Sequence, residues 1–152
     1  MNIIRNLACT MCLTLIPVYL FATDLGFIHT KFIEGDVLIK TTDSKDWTPA
    51  AINMPLYEGD KIWSANGGRL EIQLRDGSLL RMDGNTLIDI MGDEKNRHTF
   101  YLSFGRIYTY VRYPKKVPVA INTPSCELRA YEEAKFRLDV NENGDSDVSV
   151  LQ

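Results

Sequence analysis

At 152 residues with a net charge of −3, the chain fits one domain and lacks the basic surface that nucleic-acid backbones require. Hydrophobic residues make up 45% of it, enough for a packed core. Three cysteines, two of them within the first twelve residues, exclude a disulfide-stapled scaffold.

Met1–Ala22 has one cation, Arg5, followed by an uncharged run, Leu7–Ala22, that ends on a small residue. That is the layout of a secretory signal: positive start, apolar stretch, small-residue cleavage site. The run is 16 residues long, short of the roughly 20 that span a bilayer. The segment is therefore predicted to be a signal helix cleaved after Ala22; left uncleaved, it would be a membrane anchor. Cys9 and Cys12 sit too early for lipidation. Removing residues 1–22 lowers the net charge to −4 and leaves Cys126 as the one cysteine. An intermolecular disulfide is then its remaining redox option.

The predicted β domain covers residues 23–152. Apolar runs at Phe27-Ile28 and Val37-Leu38-Ile39 are split by a turn at Glu34-Gly35-Asp36. Thr48-Pro49 and Met54-Pro55 are extended, because a residue before proline avoids the helical region. Glu58-Gly59-Asp60 turns the chain into a strand at Lys61-Ile62-Trp63, and Asn66-Gly67-Gly68 turns it again. In Arg69–Arg75 the residues Leu70, Ile72 and Leu74 fall on one face, with Glu71 and Gln73 on the other. A three-residue loop, Asp76–Ser78, predicts Leu74 opposite Leu80 and Ile72 opposite Met82, which keeps one face apolar. Asp83-Gly84-Asn85 is a turn, Leu87–Met91 a strand, and 92–98 a polar loop.

Thr99–Phe104 and Arg106–Tyr113 read as two strands divided at Gly105. Pro114–Pro118, with Lys115-Lys116, is a solvated loop. Val119–Ile121, Glu127–Tyr131, Lys135–Val140 and Val148–Leu151 complete the pattern. Alternation through Phe136, Leu138 and Val140 favours strand over a helical turn at 130–137. The expectation is an all-β fold of about ten short strands, either a β-sandwich or a compact β-solenoid. The Gly-Asp and Asp-Gly steps recur without a fixed period.

Candidate chemistry is sparse. His29 and His98 lack partners at metal-ligand spacing and read as ordinary strand or surface residues. Cys126 lacks a neighbouring base and reads as a small buried hydrophobe. Glu132-Glu133 and Asp93-Glu94 would point to opposite faces of a strand, so they read as solvated charge. Asp139–Val150 matches a calcium loop at Asp139, Asn141, Asn143, Gly144 and Asp147, but Val150 stands where a bidentate glutamate is required. A hairpin turning at Asn143-Gly144 is the better reading. No metal and no cofactor is expected.

The strand from Arg106 is the best binding candidate. Arg106, Tyr108, Tyr110 and Arg112 alternate and share one face, opposite Ile107, Thr109 and Val111. Tyrosine and arginine are enriched at interaction hot spots. Cross-strand aromatic packing would account for the same pattern. Arg69, Arg75 and Arg81 read as a solvated face.

The order of these pieces resembles the FecR protein domain. Its marks here are Pro55–Asp60, Ile62-Trp63, Gly67-Gly68, Leu70–Leu74, Asp76-Gly77-Ser78, Thr86–Ile90, Leu102–Ile107 and Thr123-Pro124. The resemblance covers about Phe27 to Val150. Sigma-regulating members carry a cytoplasmic segment ahead of a membrane helix, whereas here the apolar run begins at Leu7. The family also continues past the last strand, which implies a longer parent chain or a docking edge. The resemblance therefore implies a non-enzymatic exported module, periplasmic or secreted, that contacts an envelope protein by strand addition or a sheet face. A cell-wall glycan gripped by Tyr108 and Tyr110 is the alternative. Nucleic acid is not an expected partner.

Overall fold

The computed structural model describes residues 27–94, 97–112 and 118–151, the side chains of 93 and 94 excepted. The signal helix expected at 1–22 and Lys115-Lys116 lie outside the described residues. Among the described residues twelve strands form: β1 His29–Glu34, β2 Val37–Lys40, β3 Thr48–Pro49, β4 Lys61–Ser64, β5 Arg69–Gln73, β6 Leu79–Met82, β7 Thr86–Glu94, β8 Arg97–Val111, β9 Val119–Asn122, β10 Glu127–Ala130, β11 Ala134–Val140 and β12 Ser146–Val150. The all-β expectation holds. The arrangement is neither two separate sheets nor a stack of repeats. It is one sheet of twelve strands curled into a half-barrel.

The sheet turns on β8. Its first half pairs with β7 on one side and, in parallel, with β9 on the other. Its second half pairs with β6 and β11. One half of the molecule thus runs β1-β5-β6-β8-β11-β12, and the other β3-β2-β4-β7-β8-β9-β10. Inward residues of both halves merge into one core, with Leu70, Leu80, Ile107 and Leu138 from the first and Ile39, Ile62, Ile88 and Phe100 from the second. Burying this apolar surface on the inner side of the sheet is the main stabilising term.

Three sequence expectations change. Gly105 does not divide two strands. The strand passes through it at φ 103°, a conformation open to glycine, and continues to Val111. The polar loop expected over 92–98 gives way to strand at 92–94 and 97–98: the β7–β8 ladder runs on through Gly92 opposite Thr99, Asp93 opposite His98 and Glu94 opposite Arg97. Ladder bonds use the backbone, so polar side chains do not prevent them.

The β5–β6 register is the third. Ile72 faces Leu80 and Leu70 faces Met82, two residues from the predicted pairing but with the same face buried. The loop has three residues as expected, but they are 75–77. Leu74 N–H donates to Ser78 O, Gly77 N–H donates to Leu74 O, and Gly77 has φ 81°. A type I turn closed by a left-handed residue needs glycine at the third loop position, and that requirement sets the register. A Cβ at Gly77 would meet only Arg112 side-chain atoms, at 3.8 Å and beyond. Gly77→Ala is expected to cost about 1–2 kcal/mol from backbone conformation alone, read as a lower urea midpoint with an unchanged slope.

The hairpin at the calcium-like motif uses the same device. Asn141 N–H donates to Asp145 O, Gly144 N–H donates to Asn141 O, and Gly144 has φ 87°. The Asn141 side-chain oxygen accepts the amides of Asn143 and Asp145. Among the described residues no cluster of three or more His, Cys, Asp or Glu could hold a metal ion.

Candidate functional site

The outer face of the β1-β5-β6-β8-β11-β12 half carries the predicted Arg/Tyr strand. Register sets its rows. Phe32, Glu71, Arg81, Tyr108, Arg137 and Ser149 lie side by side across six strands. The next row holds Gln73, Leu79, Tyr110 and Lys135. Tyr108 therefore stands between two arginines from neighbouring strands. An open concavity of about 860 Å³ lies over these rows, lined by Phe32, Leu79, Arg81, Tyr108, Tyr110 and Leu151 among others. Phe32 is 49% exposed and Tyr108 36%.

Beside the tyrosines runs a ladder of opposite charges. Arg69 lies 3.5 Å from Glu34 and 3.7 Å from Asp83, and Arg106 lies 3.7 Å from Asp83 and also pairs with Asp139. Arg137 completes it at 2.6 Å from Asp139. Arg81 and Lys31 both meet Glu71. The hydrogen bond and charge of Asp139 hold the Arg106 guanidinium above its ordinary pKa. Exposed pairs of this kind add little stability one by one. Their effect is to neutralise the arginines, leaving aromatic rings and aliphatic stems as the groups offered to a ligand.

The structure separates the four predicted residues. Tyr108 and Tyr110 enter the concavity. Tyr110 is held in place: its hydroxyl donates to Glu133 at 3.1 Å, and Lys135 Nζ lies 5.1 Å from its ring centroid. Arg106 is tied into the charge ladder. Arg112 sits by the β5–β6 turn, its amide donating to Ser78 Oγ at 3.0 Å. Arg69 and Arg81, read as a separate solvated face, belong to this same surface. Phe32, Leu79, Lys135 and Leu151 were missed, because only strand order brings them to Tyr108.

His29 lies in β1 and His98 in β8, both buried. Cys126 is exposed, not buried as expected. It closes a tight turn in which its amide donates to Thr123 Oγ1 at 3.0 Å, and that turn leaves the thiol outside the core.

A family model described as FecR protein matches residues 60–152. Neither a curated protein nor a solved structure matches the chain.

Proposed function

This chain belongs to the FecR protein family, and from that premise we propose that it is a non-enzymatic binding module, exported to the periplasm or cell surface, that docks an envelope protein in a signalling role. The observation that carries the reading is the preorganised outer face: Tyr108 and Tyr110 in a shallow concavity, with the surrounding arginines already neutralised. Such a surface suits aromatic anchoring of a protein partner with a polar rim. The dispersal of His29, His98 and Cys126 over separate elements supports a role without chemistry of its own. Export is supported by the layout of Met1–Ala22.

Capture from an envelope extract tests this. Tyr108→Ala combined with Tyr110→Ala is expected to lower retention of the captured protein at least tenfold, each anchor being worth about 1–2 kcal/mol. The variant's far-UV spectrum is expected to be unchanged, since Tyr108 is 36% exposed. Sedimentation with purified peptidoglycan, lost in the same variant, would instead establish the face as a glycan platform.

A further inference from the structure

The half of the sheet away from Tyr108 carries an outer row of its own. Pairing sets Pro49, Leu38, Trp63, Leu87 and Phe104 side by side across five strands. Their neighbours along the strands, among them Val37, Ile39, Ile62, Ser64 and Ile88, are buried. By alternation the row therefore stands on the outer face. Trp63 is 36% exposed there. In the next row Lys61 is held by Asp89 at 2.6 Å.

A second concavity, of about 320 Å³, lies at the β2 end of this row. Ile33, Leu38, Pro49, Ala50 and Trp63 give it apolar walls, and Asp36 is the one charged residue lining it. The backbone places that acid. Ala65 N–H donates to Asp36 O at 2.9 Å, one residue past the Val37–Ser64 pair of the β2–β4 ladder. Asp36 and Leu38 flank buried Val37, so Asp36 shares the outer face with Leu38 and stands diagonally across from Trp63. The β1–β2 turn is packed closely: a Cβ at Gly35 would lie 3.0 Å from Gly67 O. Asp36 is exposed, and among the described residues its carboxylate has neither an ion pair nor a hydrogen bond. Its neighbour Glu34 already meets Arg69. Lys40 lies two residues beyond Leu38, on the side away from Asp36.

A small apolar pocket with an indole wall and one unpaired carboxylate is complementary to a cation on an aliphatic stem. The face of an indole attracts an ammonium or guanidinium group. The methylene stem can cover apolar walls while the charged head reaches the acid. An uncharged apolar group would instead take water from the Asp36 carboxylate without giving it a partner. We propose that this pocket receives a lysine or arginine side chain of a partner protein, with the stem on Leu38 and Pro49 and the charged head between Trp63 and Asp36. The pocket lies on the other half of the sheet from Tyr108, so the proposal is independent of the tyrosine face.

The test is a fluorescence titration of the Trp47→Phe protein, in which Trp63 is the one tryptophan. The ligands are short acetylated glycine–serine peptides with a single central lysine, arginine, norleucine or glutamate. The lysine and arginine peptides are expected to change the Trp63 emission saturably, and norleucine to bind about tenfold more weakly than lysine. Asp36→Asn should weaken the lysine peptide about threefold. Asp36→Lys should turn the preference toward glutamate. Tyr108→Ala combined with Tyr110→Ala should leave lysine binding unchanged, even if it abolishes envelope-protein capture. Equal binding of the norleucine and lysine peptides, or a preference unmoved by Asp36→Lys, overturns the proposal. So does cadaverine binding as tightly as the lysine peptide, which would make this a site for free amines. A Trp63 response to a peptidoglycan disaccharide and to none of the peptides also overturns it, in favour of a glycan platform.

Discussion

Gly105→Ala is expected to destabilise the protein by about 2–5 kcal/mol, a large part of the 5–15 kcal/mol typical of a domain. Two effects add. At φ 103° an L side chain is strained, by about 1–2 kcal/mol if the left-handed penalty is a guide. The added Cβ would also lie 2.4 Å from Thr86 Oγ1, 2.5 Å from Thr86 Cα and 2.6 Å from Asn85 O. Two of these are backbone atoms that cannot rotate away, so β8 must separate from the start of β7, with overpacking costs of about 1–3 kcal/mol. The site is where β8 passes from one half of the sheet to the other. Thr86 is fully buried there, and its Oγ1 accepts the Arg106 amide at 3.0 Å. Urea unfolding should show a midpoint lower by at least about 1 M. Gly92→Ala is the control: a Cβ there meets nothing within 4 Å, and its φ is not positive. A Gly105→Ala midpoint within about 0.3 M of wild type would remove the corner role assigned to this residue.

What was legible in the sequence is what depends on neighbours along the chain. The alternation of Leu70, Ile72 and Leu74 gave the buried face of β5, since side chains in a strand change sides at every residue. The Gly-containing turns at 35, 59 and 67 were placed correctly, because positive φ selects glycine locally. The Arg/Tyr alternation of β8 likewise put Tyr108 and Tyr110 on one face. Contacts distant in sequence were not legible. No local signal says that β1 pairs with β5 and not with β2, or that β9 runs parallel to β8. The site inherits that limit. Arg81 and Arg137 flank Tyr108 only because β6 and β11 flank β8. A polar stretch such as 92–98 also misleads: hydropathy reports side-chain solvation, while the ladder there is held by backbone bonds.

Asp60 shows how a turn residue can act as a structural clamp, and its loss is the second large effect expected. It is 2% exposed, unusual for an acid. Its carboxylate accepts the amide of Tyr57 at 2.9 Å and that of Thr42 at 3.1 Å. Its own carbonyl accepts the Ile90 amide at 2.9 Å, and Ile90 O accepts the Gly59 amide at 2.8 Å. The side chain thus joins the excursion after β2 to the turn before β4, and the main chain of the same Gly-Asp step ties that turn to the middle of β7. Gly59 must lack a side chain for this, because a Cβ there would lie 2.4 Å from Thr42 Oγ1. Asp60→Ala removes two charge-assisted bonds and strands two backbone amides, for an expected loss of about 3–5 kcal/mol. Asp60→Asn keeps the volume and one acceptor oxygen, but turns an NH₂ toward the other amide. It should lose roughly half as much. If the bonds matter as bonds, chemical denaturation will rank wild type above Asn and Asn above Ala. Asn and Ala falling together would mean that charge decides. A loss under about 1 kcal/mol for Ala would mean that water replaces the carboxylate, and that the Gly-Asp step is held by Gly59 alone.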